Sequence, residues 1–354
     1  MSNFQFHMYL GVAAQRVRVR RYRTWIGSDA MGKEAFVPPG QRTGVEMRNH
    51  QELTYPTDHE RRPFKLPGFT SDSGSKRAKA DGPTSVTMSI DTEGGAATQH
   101  VVFPAGWNAP MGHFDDDLEI FVITGDLHIG GHRLGKYSYS YIPAGIVAGP
   151  WTCPTECTVL WMPFGHLTYE TDEADSRCTT VANPDSVSTY HTKTLNHPRY
   201  KEYIPAKDTA SMGWETTKFL PPGSARKSLR GSVDGPACWL LGLVPQWIEG
   251  NFKASHPTAE EAFVLEGDIG GHWAMHDDPF NTKFAVATRG GYYWRPAHVP
   301  HGPFYTDGGC LMLFRTEAKL KCDFTLHQPD YTQHDFHKAI KFTGGKTTFH
   351  GSVD

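Results

Sequence analysis

Apolar and polar residues alternate over short runs through most of the chain, and Gly, Pro and Asp interrupt the pattern before it grows long. Ser85–Ile90, Thr98–Phe103 and Leu118–Thr124 have strand length. Long stretches with helical period are few, so the pattern predicts an all-β chain of short strands and turns. Ala262–Leu265 ends at Gly267-Asp268 and is predicted to be a strand entering a hairpin. Tyr292–Arg295 is a second strand, closed by the Pro-rich turn 296–303. The alternating Arg16-Val17-Arg18-Val19-Arg20 run predicts a half-exposed strand.

The pattern occurs twice. Leu118-Glu-Ile-Phe-Val-Ile-Thr-Gly-Asp126 is matched by Glu260-Glu-Ala-Phe-Val-Leu-Glu-Gly-Asp268, and Tyr139–Pro150 by Tyr292–Pro303. Glu156–Trp161 is matched by Gly309–Phe314, and Phe64-Lys-Leu-Pro-Gly68 by Phe219-Leu-Pro-Pro-Gly223. Four matches in one order indicate a duplicated unit.

The second copy carries the chemistry. Strand side chains alternate faces, so His256 and Glu260 share a face if the strand already begins near His256. His298 and His301 close the turn after the second strand. An imidazole, a carboxylate and a further imidazole converging from neighbouring strands suit a divalent cation. In the first copy, the counterparts of Glu260 and His301 are Leu118 and Ala148. There His113, Asp115, Asp117 and Glu119 share one face, opposite in parity to Glu260. They lie at the surface unless the strand slips by one residue and turns Glu119 inward. No metal is expected in this copy. The longer connection His272–Thr288, with His272, His276, Asp277 and Asp278, is either a lid at the barrel mouth or a solvated excursion.

These motifs resemble the cupin family. The spacing His256, three residues, Glu260, six residues, Gly267 fits the second half of the first cupin motif, although Ala254 stands where that motif has another histidine. Pro296 and His301 fit the second motif, with His298 replacing its glycine. The resemblance implies two tandem cupin barrels of the double-stranded, jelly-roll kind, nearest to acetylacetone-cleaving dioxygenases and anti-sigma-type cupins. The implied ligands are His256, Glu260 and His301, with His298 and Arg295 as candidate catalytic groups. Implied boundaries are an N-terminal extension 1–60, a degenerate barrel 61–170, a linker 171–213, a metal-binding barrel 214–325 and a tail 326–354. The metal is expected to be Fe(II), with Zn, Ni or Mn as alternatives. The implied function is dioxygenation of a small dicarbonyl or hydroxy-ketone. A non-oxidative metal lyase, isomerase or hydrolase, or a non-catalytic ligand-binding sensor, are the rival readings.

Composition narrows the partners. The 354 residues suffice for two cores, and a formal net charge of -3 gives no footprint for nucleic acid. No apolar run reaches the length of a membrane span, and the N-terminus lacks a clean signal peptide. Of six cysteines only Cys153 and Cys157 are close in sequence, without the second pair a zinc site needs. Buried thiols, a cytoplasmic location, a homo-oligomer (a dimer) and a small-molecule substrate are the expectations.

Overall fold

Alternation with period two gives each strand an inner and an outer face, and this chain uses both faces of its two main sheets. A computed structural model describes residues 48, 50–70, 82–172, 178–183, 186–217, 220–231, 236–249, 253–255, 258–274, 282–297, 299, 301–316 and 325–327. Two large antiparallel sheets follow the same order. The first runs Ile204–Asp208, Ser138–Ile142, Leu118–Thr124, Cys157–Pro163, Ala97–Phe103, Thr84–Ile90 and Arg62–Pro63. The second runs Gln51–Thr54, Tyr292–Arg295, Glu260–Ala274, Cys310–Thr316, Ala237–Leu243, Ser224–Arg230 and Glu215–Thr216. Smaller strands close each sheet into a two-layered roll, giving the all-β, tandem jelly-roll architecture that the repeat implied.

The correspondence holds strand for strand, with one exchange. Gln51–Thr54 precedes the first roll in sequence, yet it pairs with Tyr292–Arg295 of the second. Ile204–Asp208 precedes the second roll and pairs with Ser138–Ile142 of the first. Each half therefore lends its leading strand to the other. Residues 51–54, assigned from sequence to an N-terminal extension, complete the second half's sheet.

Three cores result. Phe69, Phe114, Trp151 and Trp161 fill the inside of the first roll. Trp239, Trp273, Tyr293 and Met312 line the inside of the second. Between them, the outer faces of both sheets pack together through Phe121, Tyr139, Leu160, Phe263, Tyr292 and Trp294. Phe263, Tyr292 and Trp294, on the strands that carry the motifs, thus belong to the seam between the halves. Tyr293, between two of them in sequence, faces the second interior.

Gly267-Asp268 does not turn the chain back. The strand runs unbroken over Glu260–Ala274, with a bulge between Val264 and Glu266 where it passes from one layer to the next. Gly267 has φ 76°, and a Cβ there would stand 1.9 Å from the Gly309 carbonyl oxygen, so only glycine fits. The connection expected over 272–288 is mostly strand, because Thr282–Thr288 pairs back along Asp268–Ala274. His276, Asp277 and Asp278 lie outside the described residues, as does Arg16–Arg20.

Candidate metal centre in the second roll

Glu260 and Arg295 are direct cross-strand partners, so their side chains leave the sheet on the same face. That face is the interior of the second roll. Arg295 Nη1 donates to Glu260 Oε1 at 3.1 Å. Its Nε and Nη2 donate to Glu52 on the exchanged strand, at 2.8 and 2.6 Å to Oε1. The guanidinium lies flat over Tyr293, 3.9 Å from the ring centroid. Burial alone pushes the Glu52 carboxyl up, but Arg295 and His50 beside it hold it below the usual carboxylate range. His50 Nε2 lies 3.0 Å from Glu52 Oε2. Burial, then the charge of Glu260, keeps the Tyr293 phenol protonated, and its hydroxyl donates to Glu260.

His301 enters from the turn that ends Tyr292–Arg295. Its Nδ1 lies 2.8 Å from the Val299 carbonyl oxygen, which can only accept. In the neutral ring the proton is therefore on Nδ1, and Nε2 keeps its lone pair. That nitrogen faces Glu260, 3.9 Å from Oε1, with both residues buried. A backbone-tethered Nδ1 is the usual companion of an imidazole that ligates through Nε2.

Glu260, His301 and Glu249 are the carboxylates and imidazole lining a cavity of about 80 Å³, otherwise walled by apolar and aromatic side chains. Metal–donor bonds of about 2.0–2.2 Å place two donors of one ion roughly 3–4 Å apart, so the Glu260–His301 spacing lies at the wide end of that range. Glu52 and Glu260 share the one guanidinium of Arg295, and Glu249 lines the same cavity as Glu260. Carboxylates and an imidazole are a donor set that suits a divalent cation. Sequence reasoning thus placed Glu260 and His301 together, and the structure does bring them together. His256 and His298 lie outside the described residues. Among the described residues no three ligating side chains converge. Arg295 points inward, as one of the Trp294–Arg295 pair must, but its donors go to Glu52 and Glu260.

Sequence reasoning missed Glu52, His50 and Glu249. Glu52 sits on, and His50 just before, a strand whose partner is most of the chain away. A search for the repeat upstream of Phe64 would have set Gln51–Thr54 beside Ile204–Asp208.

In the first roll the counterparts of Glu260, Arg295 and His301 are Leu118, Ile142 and Ala148, all buried in its apolar core. The suspected acidic cluster disperses. His113 Nδ1 pairs with Asp172 at 3.0 Å, Asp115 accepts from the Thr168 amide, and Asp117 accepts from Arg199. Glu119 is neither slipped inward nor on the surface. It is fully buried in the seam between the halves, bound by Arg230 and Arg315 at 2.6 Å each and by Tyr139. Its repeat counterpart Glu261 is bound in the same way by Arg48, Arg315 and Tyr292, so Arg315 joins both carboxylates. Arginines hold both carboxyls below the usual range against the upward push of burial.

A family profile described as a domain of unknown function (DUF4437) matches residues 76–323. A crystal structure of a Nostoc punctiforme protein, provisionally described as a dioxygenase, is 25% identical, with a TM-score of 0.62 over 80% of this chain and 88% of that one. Oxalate decarboxylase of Lactobacillus farciminis (10% identity, TM-score 0.46, 80% of this chain and 90% of that one) and hazelnut vicilin (11%, 0.47, 77% and 87%) are also similar. No curated protein matches the chain. The Nostoc protein thus shares the tandem-roll fold over four fifths of this chain.

Proposed function

We propose, for a chain that belongs to the DUF4437 family, that the second roll holds one divalent metal and makes the protein a metal-dependent enzyme. His256, Glu260 and His301 are the ligands, and Fe(II)-dependent dioxygenation of a small oxygen-rich molecule is the reaction. The observation that carries this reading is His301, tethered at Nδ1 and turned through Nε2 toward a buried carboxylate. The likeness to the Nostoc protein favours the oxidative branch over a lyase or hydrolase. When bound, the metal supplies a Lewis acid and, as Fe(II), a place for oxygen.

The chain's own residues do the rest. Tyr293 and Arg295 fix the Glu260 carboxylate, so Arg295 is a positioning residue. Glu52 keeps that guanidinium from neutralising Glu260 alone. The aromatic walls exclude water. His298 keeps the proton-transfer role that its place in the motif gives it. Cys153, Cys157, Cys238 and Cys310 are buried free thiols, which favours a reducing compartment. No helix among the described residues is long and apolar enough to cross a membrane.

Metal analysis of the purified protein tests the site. About one equivalent per chain is expected, reduced at least tenfold in Glu260→Ala, His301→Ala and His256→Ala. Full occupancy in these folded variants would refute it. The iron form should consume oxygen only with substrate. Equal anaerobic turnover by the iron and zinc forms would replace the dioxygenase with a lyase or hydrolase.

A further inference from the structure

The seam between the halves carries hydrogen-bond donors that its acceptors do not use up. Arg48 stands there just ahead of the exchanged strand, with its side chain fully buried. Its Nη1 donates to Ser89 Oγ at 2.9 Å, Thr98 Oγ1 at 2.8 Å and Glu261 Oε2 at 3.1 Å. Its Nε and Nη2 are buried and have no hydrogen-bond partner among the described residues. Those two atoms form the side-on fork of the guanidinium, an edge that grips an anion with two parallel N–H bonds. Trp294 adds a second unspent donor. It leaves the sheet on the same face as its cross-strand partner Glu261, and its buried Nε1 has no partner among the described residues. On its other side Trp294 pairs with Gln51, which follows Arg48 closely in sequence.

The acceptors around Arg48 are already engaged. Glu261 Oε2 takes Thr98 and Tyr292 at 2.6 Å each besides Arg48, and Oε1 takes Arg315. With its own proton on Glu261, the Tyr292 hydroxyl receives that of Ser89 Oγ, 2.6 Å away. Leaving the edge of a buried guanidinium unbonded costs more than an ordinary lost hydrogen bond. A water molecule would accept from the fork, yet it brings two protons of its own to a place whose acceptors are taken. An anion only accepts, and it pairs with the guanidinium charge as well. Full burial of Arg48 and Trp294 restricts such a guest to a few atoms.

We infer that the seam holds one small monovalent anion, of the size of chloride, nitrate or formate, on Nε and Nη2 of Arg48 beside the Trp294 indole. Its place gives it a task. Arg48 leads into Gln51–Thr54, the strand that brings Glu52 to Arg295. An anion on the fork fixes that exchanged strand where it enters the second half. The inference needs no metal and stands apart from the metal-centre reading.

Thermal melting of the full chain reads the site. The protein is dialysed into sodium gluconate, whose anion is too large to enter, and titrated with chloride, nitrate or formate at constant ionic strength. The melting temperature should rise saturably, by roughly 5–10 °C at a hundredfold excess over the half-saturating concentration. Arg48→Lys keeps a cation for Glu261 but has no fork, so its melting temperature should no longer respond. Trp294→Phe removes one N–H and should raise the half-saturating concentration about fivefold, the worth of one hydrogen bond. Circular dichroism checks that both variants are folded. Crystals of the unaltered protein grown in bromide should show an anomalous peak in contact with Arg48 Nε and Nη2. A flat response in the unaltered protein, a full response in folded Arg48→Lys, or a fork bonded to water with bromide only elsewhere would overturn the inference. Should Arg48→Lys fail to fold, the bromide map and Trp294→Phe decide.

Discussion

Glu52 is the most informative position to change, because the structure lets its contribution be worked out. Its carboxylate accepts from Arg295 at 2.8 and 2.6 Å on Oε1 and at 3.0 Å on Oε2, a two-pronged pair whose side chains are 2% and 1% exposed. Deleting one partner of such a pair strands the other charge, at a cost of about 3–5 kcal/mol. At roughly 2–4 °C per kcal/mol for a cooperative unit of this size, Glu52→Ala should melt about 6–20 °C lower. Replacing both partners by apolar residues removes the stranded charge. Glu52→Leu with Arg295→Met should therefore cost at least about 2 kcal/mol less than the sum of the single changes. A stability effect alone would not separate this pair from any other buried contact. Metal content does, because in Glu52→Gln the guanidinium has only Glu260 left to neutralise, and occupancy should fall while Glu260 and His301 are untouched. Urea titrations of the single and double variants, with metal analysis alongside, settle the matter. Additive stability losses together with unchanged occupancy would refute the argument.

Three further outcomes follow from the buried carboxylates and the bulge. The Glu52, Glu119 and Glu261 carboxyls are all held below the usual range by buried arginines. Depressed folded pKa values mean stability that is complete above the unfolded carboxylate pKa of about 4.3 and is lost as pH falls through the folded values. The urea midpoint should be flat near neutrality and fall steeply below about pH 4, and Arg315→Met, which strips a partner from two carboxylates at once, should cost about 3–5 kcal/mol at pH 7. A midpoint that rises on acidification would contradict these buried carboxylate–arginine pairs. Gly267→Ala should cost at least about 2 kcal/mol, since its φ of 76° and the Gly309 carbonyl 1.9 Å from a Cβ both oppose a side chain. A neutral melting temperature for that variant would show that the bulge is not where the chain bends.

Much of this was legible in the sequence. Strand parity separated Glu260 from Glu261, and the structure places the first in the interior and the second in the seam. The repeat predicted the tandem rolls because two copies of one pattern must bury two copies of one face. Parity could not say what lies beyond a face, however. Glu119 has the outward parity of a surface residue, yet outward here means into the other half. Phe263, Tyr292 and Trp294 face the other half for the same reason. The Gly-Asp pair signalled a bend, and nothing local distinguishes a hairpin from a bulge within a long strand. Glu52 escaped notice because Gln-Glu-Leu-Thr is too short and polar to signal a strand, and its partner is supplied by distant sequence.

The reciprocal exchange of leading strands bears on how the molecule comes off the ribosome. Gln51–Thr54 emerges early but must wait for Tyr292–Arg295 before it has a partner, a delay on the order of ten seconds or more at ordinary synthesis rates. The first roll cannot finish either until Ile204–Asp208 arrives to cover Ser138–Ile142. Until then each nascent sheet ends in unpaired backbone, the kind of edge that invites other chains to pair with it. The acid that keeps Arg295 in place is made early, and the site it serves is among the last completed. A chain cut short between the halves should therefore emerge from synthesis as an aggregating fragment, not as a small stable domain.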